Sequence, residues 1–212
     1  MENKKLIAVF GGTGKVGSHF IEYALEAGYN LRVLVRNASK FTHADHDNVE
    51  VVVGDATNAE DVEKTVAGTD VVVSCLGPTS KVFIMEDAYR NIMSAAAKQP
   101  QPPRCLMISS IGMGGSSWLI KVTLTMIGGR AMIKDYERAD KLVSEETKAP
   151  FVLARAYALT DNPGNGAYKI LPGKDGTFAR PISRADVALF FLHCVEDTQW
   201  DSGPVMLGGA KK

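Results

Sequence analysis

Short runs of apolar residues, rich in β-branched side chains, recur along the first three quarters of the chain. Six of these runs are candidate strands: L-I-A-V-F at 6–10, L-R-V-L-V at 31–35, V-E-V-V-V at 49–53, V-V-V-S-C-L at 71–76, C-L-M-I-S at 105–109 and F-V-L-A at 151–154. Strands that are buried on both faces have this pattern, because helices cover a parallel sheet above and below. The pattern therefore predicts a parallel sheet.

Helical patterns separate these runs. An apolar stripe at 16–25 ends at Gly28, and Asn58 can cap a helix that begins A-E-D-V-E-K-T-V. Longer helical patterns cover 82–98 and 130–147, and S-R-A-D at 183–186 is a capping box ahead of a last helix. Alternating strands and helices predict one α/β domain over 1–212, with a doubly wound, mostly parallel sheet and helices on both faces.

Four glycines lie between the first strand and the first helix, in F-G-G-T-G-K-V-G at 10–17. Counted from Gly12 the spacing is G-x-G-x-x-G, and counted from Gly11 it is G-x-x-G-x-x-G. Glycines at such a turn let the backbone approach a diphosphate, which the N–H groups at the helix start then bind. The loop therefore predicts a dinucleotide site, whose residues here are Gly11, Thr13, Gly14, Lys15, Val16 and Gly17.

The end of the second strand indicates which dinucleotide is bound. NAD sites usually have Asp or Glu there, on the ribose 2′-hydroxyl. This chain has Arg36 at that position and Lys40 four residues on. A guanidinium binds a 2′-phosphate through a fork of donors, so the sequence favours NADPH over NADH.

Two further strand ends complete the predicted nucleotide site. Asp55 and Ala56 follow the third strand, and Leu76 and Gly77 follow the fourth. Asp55 can accept a hydrogen bond from the adenine amino group, or form the turn after Gly54, or both. Gly77 lets the backbone lie against the cofactor.

Together these segments resemble a known family. G-G-T-G-K-V-G, Arg36, G-D-A at 54–56, L-G at 76–77 and I-S-R-A-D-V-A at 182–188 resemble the atypical short-chain dehydrogenase/reductases, nearest to the flavin reductase/biliverdin-IXβ reductase type. The resemblance covers 5–194 and implies a Rossmann fold with Gly11, Gly14 and Gly17 as the operative glycines. Gly12 then occupies a position that is often alanine.

The resemblance also suggests where chemistry takes place. It implies that Ser110, after the fifth strand, is an active-site serine, and we expect Ser109 and Tyr157 at neighbouring strand ends to contact the cofactor. Flavin reductases have a histidine after the sixth strand, and this chain has Ala158 at the corresponding position. We expect Arg155, just before it, to tie the edge of the sheet to nearby loops.

The tyrosines argue against the standard dehydrogenase mechanism, in which a lysine four residues on activates a tyrosine. None of the six has that partner: Tyr136 comes nearest, but Lys141 is five residues on and Asp140 stands at the fourth position. Tyr136 therefore remains a second catalytic candidate beside Ser110.

These features predict an NADPH-dependent reductase that transfers a hydride to a small conjugated or aromatic acceptor, such as a flavin, quinone or tetrapyrrole. A non-catalytic NADP(H)-binding regulator or sensor is an alternative, and an NADP-dependent isomerase or dehydratase is a third. We expect the substrate to be recognised by a region formed by about 110–130 and 156–183. The Gly-, Met- and Trp-rich start of that region is interpreted as a mobile apolar lid or as a surface helix.

Composition excludes other classes of protein. The 24 basic and 24 acidic residues balance, which gives no sign of a nucleic-acid or anionic-membrane partner. No apolar run is long enough to span a membrane. The widely separated cysteines predict buried thiols, and His43 and His46 lie in a polar loop without a third metal ligand. We expect a cytoplasmic protein, monomeric or weakly dimeric, that holds no metal.

Overall fold

The computed structural model describes residues 4–77, 83–113, 118–146, 148–171 and 180–210. Eight strands form one sheet: β1 (Leu6–Phe10), β2 (Asn30–Val35), β3 (Val49–Val53), β4 (Val71–Ser74), β5 (Arg104–Ser110), β6 (Phe151–Ala156), β8 (Tyr168–Leu171) and β10 (Gly203–Gly209). Two short strands, β7 (Leu159–Thr160) and β9 (Ile182–Ser183), pair separately.

The strand order in the sheet is β3-β2-β1-β4-β5-β6-β10-β8, and all neighbours are parallel except β8, which runs antiparallel to β10. The order reverses between β1 and β4. In an open α/β sheet this reversal opens a crevice at the carboxyl ends of the strands, where ligands bind. The predicted doubly wound Rossmann fold is confirmed.

Within the described part of the chain, five α-helices cover the sheet: α1 (Lys15–Glu26), α2 (Ala59–Val66), α3 (Met85–Ala97), α4 (Trp118–Ser144) and α5 (Arg184–Cys194). Helices α1 and α5 bury their apolar faces in one core with one face of the sheet. Residues of α2, α3 and α4 form a second core on the other face. Alternate residues of each central strand enter the two cores, which explains their continuous apolar runs.

Two helix starts are capped as predicted. Asn58 accepts hydrogen bonds from the first turn of α2, and Ser183 Oγ accepts one from the backbone N–H of Asp186. The Asp186 carboxylate, however, accepts from the backbone N–H groups of Asn165 and Gly166. It therefore holds the loop after β7 onto α5.

The structure differs from the sequence prediction at three places. β3 is an edge strand, so its run is only half-buried and Val53 is 62% exposed. β10 and β8 were missed, because Gly, Pro and Lys interrupt their apolar pattern, and β7 and β9 were missed because two residues are too few to form one. Helix α4 begins at Trp118 rather than near 130, and Gly129 interrupts it with φ 80° and ψ 160°.

The last four residues of the segment interpreted as a lid or a surface helix, 118–121, are helical and form the start of α4. Further along the same helix Met126 is 83% exposed. Residues 114–117 and 172–179 of the predicted substrate-side region lie outside the described residues. Within the described helices we find no stretch that is both long and apolar enough to cross a membrane.

Candidate cofactor and active site

The glycine loop packs directly against the end of β4, at the reversal of strand order. Gly11 has φ +76°, and a Cβ there would lie 2.9 Å from the carbonyl carbon and oxygen of Cys75. A Cβ on Gly17 would lie 2.2 Å from the carbonyl oxygen of Gly11. The loop can therefore adopt this conformation only with glycine at both positions.

The other two glycines are less strictly required. A Cβ on Gly14 would lie 3.1 Å from the carbonyl oxygen of Gly11. At Gly12 it would meet the ends of two side chains, Ile21 Cδ1 at 2.7 Å and Val33 Cγ1 at 2.8 Å. Side-chain ends can move where backbone cannot, so alanine at Gly12 requires repacking of the core rather than a change of the loop.

Helix α1 begins without a side-chain cap, unlike its neighbours. Its N-cap is Gly14, and its first turn holds no acidic residue. In contrast, Asn58 caps α2, Ser183 caps α5, and the Asp135 carboxylate accepts from the backbone N–H groups of Met85 and Glu86 at the start of α3. The first N–H groups of α1 are thus available to an anion, and the helix dipole favours one there.

A pocket of about 250 Å³ lies in front of this helix start. We call it the nucleotide pocket, and it is lined by Phe10, Gly11, Thr13, Gly14, Leu34, Val35, Arg36, Gly54, Asp55, Ala56, Cys75, Leu76, Gly77 and Ile84. The pocket brings together eight of the predicted cofactor residues from the ends of β1, β2, β3 and β4. The predicted residues Lys15, Val16, Gly17, Lys40, Ser109 and Tyr157 are outside its lining.

Arg36 lines the nucleotide pocket without a direct partner for its guanidinium among the residues that the structure describes. Its side chain is exposed, and within the described residues it makes no hydrogen bond or ion pair. Lys40 is also exposed, at the end of a short 3-10 helix (Ala38–Lys40). The pocket therefore has an unpaired guanidinium at the end of β2, where a dinucleotide carries its adenosine ribose.

The turn after β3 is held in a defined shape. Asp55 Oδ1 accepts hydrogen bonds from Thr57 N at 2.8 Å and Thr57 Oγ1 at 2.7 Å, while Asp55 N donates to Asp61 Oδ2. Asn91 Nδ2 donates to the carbonyl oxygen of Ala56 at 3.1 Å. Asp55 is thus a turn former as expected, and its Oδ2 remains for a ligand.

The charge of Asp55 is stabilised by the same turn. The hydrogen bonds from Thr57 lower the pKa of the Asp55 carboxyl, against the opposing effect of burial, and the nearby Arg36 lowers it further. Asp55 is therefore ionised at neutral pH and acts as a hydrogen-bond acceptor.

Lys15 points away from the nucleotide pocket in this structure. Its Nζ lies 2.6 Å from Asp161 Oδ2, and Arg184 Nη1 lies 2.5 Å from Asp161 Oδ1. These three charges, of which Lys15 and Asp161 are exposed and Arg184 is half-buried, connect the starts of α1 and α5 to the loop after β7. Tyr157 is half-buried near this loop, and its backbone bonds to β10 and β9.

A buried ion pair lies behind the ends of β5 and β6. Arg155 Nη2 lies 2.6 Å from Asp140 Oδ1, Arg155 Nε lies 2.9 Å from Asp140 Oδ2, and Ser109 Oγ donates to Asp140 Oδ2 at 3.0 Å. We call these three residues the Asp140 clamp.

The expectation that Arg155 ties the sheet edge to loops was wrong: its side chain faces the helix layer, where α4 supplies the partner. The Ser109 hydroxyl belongs to the clamp too, so only its backbone is left for the predicted cofactor contact.

The two catalytic candidates lie at neighbouring strand ends. Ser110 ends β5 and is half-buried, and its hydroxyl bonds to no described residue. The Tyr136 hydroxyl lies 4.0 Å from the place of a Cβ on Gly77, at the rim of the nucleotide pocket. Burial, and then the Asp135 carboxylate, raise the pKa of Tyr136 to about 12. Tyr136 is therefore a neutral phenol at neutral pH, able to donate a hydrogen bond.

The cysteine thiols and the possible metal ligands were also compared with the sequence predictions. Cys75, Cys105 and Cys194 are free and buried, as predicted, and burial raises the pKa of each thiol to about 12. Among the described residues, no three of the His, Cys, Asp and Glu side chains are grouped so that they could hold a metal ion.

Sequence reasoning missed the residues that support this site from a distance. Asp61, Asn91 and Asp135 all fix backbone at the pocket, and none belongs to a recognisable pattern. Asp140 alone gave a signal, because it stands four residues after Tyr136 where a lysine would be expected. Its partner Arg155 is 15 residues away, so the pairing was not visible.

Comparisons with known proteins agree with this geometry. The model of a family described as NAD(P)H-binding matches residues 11–198. Phenylcoumaran benzylic ether reductase from Pyrus communis is 35% identical over 85 residues, which are 36% of this chain and 28% of the relative. Eugenol synthase 1 from Petunia hybrida is 31% identical over 121 residues, which are 53% of this chain and 37% of the relative. The chain thus spans less than two fifths of the length of these curated relatives.

Solved structures are similar over nearly the whole chain. ChuY, an anaerobilin reductase from Escherichia coli O157:H7, has a TM-score of 0.80 at 20% identity and covers 98% of each chain. A short-chain dehydrogenase/reductase from Veillonella parvula, solved in complex with NADP, has a TM-score of 0.82 at 17% identity and covers 97% of this chain and 95% of that one. At these identities the likeness shows the fold.

Proposed function

The chain belongs to the NAD(P)H-binding family, as its glycine loop already indicated. From this premise we propose that it is an NADPH-dependent reductase. Its acceptor is a small conjugated or aromatic molecule of the flavin, quinone or tetrapyrrole type. Reductases among its relatives and neighbours support this proposal, and the neighbour solved with NADP supports the choice of cofactor.

The observation that carries the proposal is the unpaired Arg36 in the nucleotide pocket, opposite an uncapped α1. The glycine loop and the start of α1 would bind the diphosphate, and Asp55 Oδ2 would accept from the adenine. Arg36, with Lys40 nearby, would bind the 2′-phosphate that distinguishes NADPH from NADH. Lys15 would reach the diphosphate by leaving Asp161, since an exposed ion pair contributes only about 0–1 kcal/mol.

The nicotinamide would then lie beyond Gly77, between Ser110 and residues 156–159. When bound, the cofactor supplies the hydride. Ser110 orients or polarises the acceptor, and the neutral Tyr136 hydroxyl donates a hydrogen bond at the same place. A conjugated acceptor needs mainly orientation and closeness, which this arrangement offers without a lysine-activated tyrosine.

A non-catalytic NADP(H)-binding regulator is the second candidate. One observation favours it: Tyr136 has no lysine partner, and its raised pKa makes it a poor proton shuttle at neutral pH. Such a protein would bind NADPH tightly and would not oxidise it, whichever acceptor is supplied.

We further propose that the protein acts in the cytoplasm on a small molecule, as a monomer or weak homodimer with no nucleic-acid or membrane partner. The balanced charge and the buried free thiols support this assignment. Light scattering across a range of concentrations tests the oligomeric state.

The test of function is NADPH oxidation at 340 nm against FMN, menadione and biliverdin, with and without protein. We expect steady turnover with at least one acceptor and a lower dissociation constant for NADPH than for NADH. NADPH binding without turnover would support the regulator instead, and absence of NADPH binding would contradict both candidates.

A further inference from the structure

The Asp140 clamp is the most deeply buried charged group among the described residues. Asp140 is 4% exposed, and Arg155 and Ser109 are each 5% exposed. Both carboxylate oxygens of Asp140 are bonded, one to Arg155 alone and the other to Arg155 and Ser109. Paired and hydrogen-bonded in this way, the charges tolerate removal from water.

The clamp joins three elements at the active-site end of the sheet. Ser109 of β5 and Arg155 of β6 are register partners on adjacent strands, so their side chains share one face. Asp140 reaches them from α4. Each strand continues by one residue beyond the clamp, to Ser110 and Ala156, at the proposed position of the acceptor.

Tyr136 is one helical turn before Asp140. Residues four apart on a helix project from the same face, so a helix fixed at Asp140 is also fixed at Tyr136. Next to Tyr136 in sequence, Asp135 caps α3, and Arg138 pairs with Glu86 of α3. Tyr136 therefore lies between an anchor to α3 and an anchor to the strands.

We propose that Asp140, held by Arg155, is a positioning residue that sets the place of the Tyr136 hydroxyl over Gly77 and the end of β5 at Ser110. Asp140 stands at the sequence position that a lysine occupies in dehydrogenases with an activated tyrosine. It does not activate the tyrosine but orients it. The bidentate fork of Arg155 fixes the rotation of α4, which apolar contacts alone would leave less defined. The effect on turnover rests on the proposed function, whereas the effect on Tyr136 does not.

Stability alone does not account for a buried ion pair at this place. Replacing such a pair by apolar residues of similar volume is often neutral or stabilising, whereas removing one partner leaves an unpaired buried charge. The double variant Asp140→Leu/Arg155→Met therefore removes the clamp while a packed interior is retained. Its control is Asp201→Leu/Arg104→Met, which removes the less buried Arg104–Asp201 pair at the amino end of β5, away from the site, together with the hydrogen bonds from Arg104 to three backbone carbonyls.

The first measurement is turnover with FMN, or with the best acceptor from the panel. We expect the clamp variant to melt as one unit, to bind NADPH within about threefold of wild type and to lose about tenfold in kcat, because small displacements at a reacting centre are costly. The control variant should keep its kcat. A folded clamp variant with wild-type kcat would overturn the proposal.

The second measurement needs no turnover. Protein labelled with 3-fluorotyrosine gives a fluorine spectrum in which the Tyr136 signal is assigned by Tyr136→Phe. We expect that signal to shift or broaden in the clamp variant and to keep its position in the control. An unmoved Tyr136 signal would overturn the proposal even if turnover had fallen.

The two failures can be told apart. If none of the acceptors supports NADPH oxidation by the wild type, the proposed reductase function is wrong, and the fluorine spectrum alone decides the inference. If the clamp variant does not fold, Arg155→Lys replaces it in both measurements, because lysine keeps the buried charge and loses the fork. A wild-type Tyr136 signal and wild-type kcat in Arg155→Lys would then overturn the proposal.

Discussion

The nucleotide pocket is lined mainly by short runs of consecutive residues at four strand ends, whereas at the proposed substrate end side chains from distant segments meet. The nucleotide end consists of the glycine loop, the start of α1 and the turn at Asp55, each built from a few consecutive residues. The substrate end combines Tyr136 of α4, Ser110 of β5 and the buried clamp. A loop of consecutive glycines can be recognised in a sequence, while a cluster assembled by packing cannot.

The comparison also concerns rigidity. The nucleotide end is fixed by steric exclusion, since a Cβ at Gly11 or Gly17 would overlap backbone. The substrate end is fixed by a directional ion pair between Asp140 and Arg155. Substitutions at the first end should therefore affect cofactor binding, and those at the second should affect turnover.

The largest effect is expected from Gly17→Ala. The new Cβ would lie 2.2 Å from the Gly11 carbonyl oxygen, so the loop must move away from the start of α1. We expect the NADPH dissociation constant to rise by about 100-fold or more, together with a loss of about 1–3 kcal/mol in the free energy of unfolding. Fluorescence titration and urea unfolding measure both. The control is Gly203→Ala, where a Cβ meets nothing within 4 Å; near-normal NADPH binding by Gly17→Ala would show that the loop is not the diphosphate site.

Arg36→Ala should weaken NADPH binding with little change for NADH. A hydrogen bond to a charged group is worth about 1.5–3 kcal/mol, which corresponds to roughly a 10- to 150-fold preference. Arg36→Asp should go further, because its carboxylate repels the 2′-phosphate and can accept from the ribose hydroxyls. The preference should weaken with added salt, since the side chain is exposed. Equal affinity of wild type for both cofactors would refute this assignment.

Ser110→Ala should lower kcat by about 10- to 100-fold while NADPH affinity stays near that of wild type. Tyr136→Phe should cost less, about tenfold at most, because no lysine activates the phenol. Steady-state kinetics with the best acceptor, alongside NADPH titration, distinguish the two variants. The roles would have to be exchanged if Tyr136→Phe abolished turnover and Ser110→Ala left it intact.

A smaller effect is expected from Asn91→Ala, which removes the bond to the Ala56 carbonyl and leaves every pocket side chain in place. A neutral hydrogen bond contributes about 0.5–1.5 kcal/mol, which implies a rise of roughly 2- to 13-fold in the NADPH dissociation constant. Arg90→Ala, on the exposed side of the same helix, is the control. An unchanged affinity in Asn91→Ala would show that the Asp55 turn holds its shape without this support.

The smallest effect concerns pH. The folded-state pKa of Asp55 is lowered, so its contribution to stability is present above the unfolded pKa and is lost as pH falls through the folded pKa. Urea unfolding of wild type and Asp55→Ala should therefore differ at pH 7 and converge below the ordinary carboxyl pKa of about 3.8. A difference that persists in acid would mean that Thr57 does not favour the ionised form.

The central strands of the sheet could be predicted from the sequence. β1, β2, β4, β5 and β6 have helices on both faces, and their apolar runs leave little ambiguity. β10 was missed because G-P-V-M-L-G-G resembles a loop, and β8 because it is an edge strand. Burial produces the readable pattern, so strands with less burial are harder to predict.

The residues of the site likewise differ in how far a local sequence pattern predicts them. The meeting of Gly11, Arg36, Asp55 and Gly77 in one pocket was predictable, because each follows a recognisable strand at a fixed offset. Arg155 was noticed but assigned to the wrong partner, since nothing local indicates that Asp140 of α4 lies opposite it. Such pairings depend on how a helix rotates when it docks, which is decided by tertiary packing.

The cap that Asp135 provides to α3 has a consequence for the direction in which a cofactor lies. With α2, α3 and α5 already neutralised at their starts, α1 offers the one uncompensated positive helix end among the helix starts whose caps the structure describes. A dinucleotide is nearly symmetrical about its diphosphate, with a ribose and a ring on either side. The uncapped helix fixes the centre, and the cation at Arg36 distinguishes the two arms, so we expect the molecule to enter with one polarity only. We then expect the reduced ring to lie toward Tyr136 in each complex, and a reversed, unproductive orientation to be disfavoured without any contact to the ring itself.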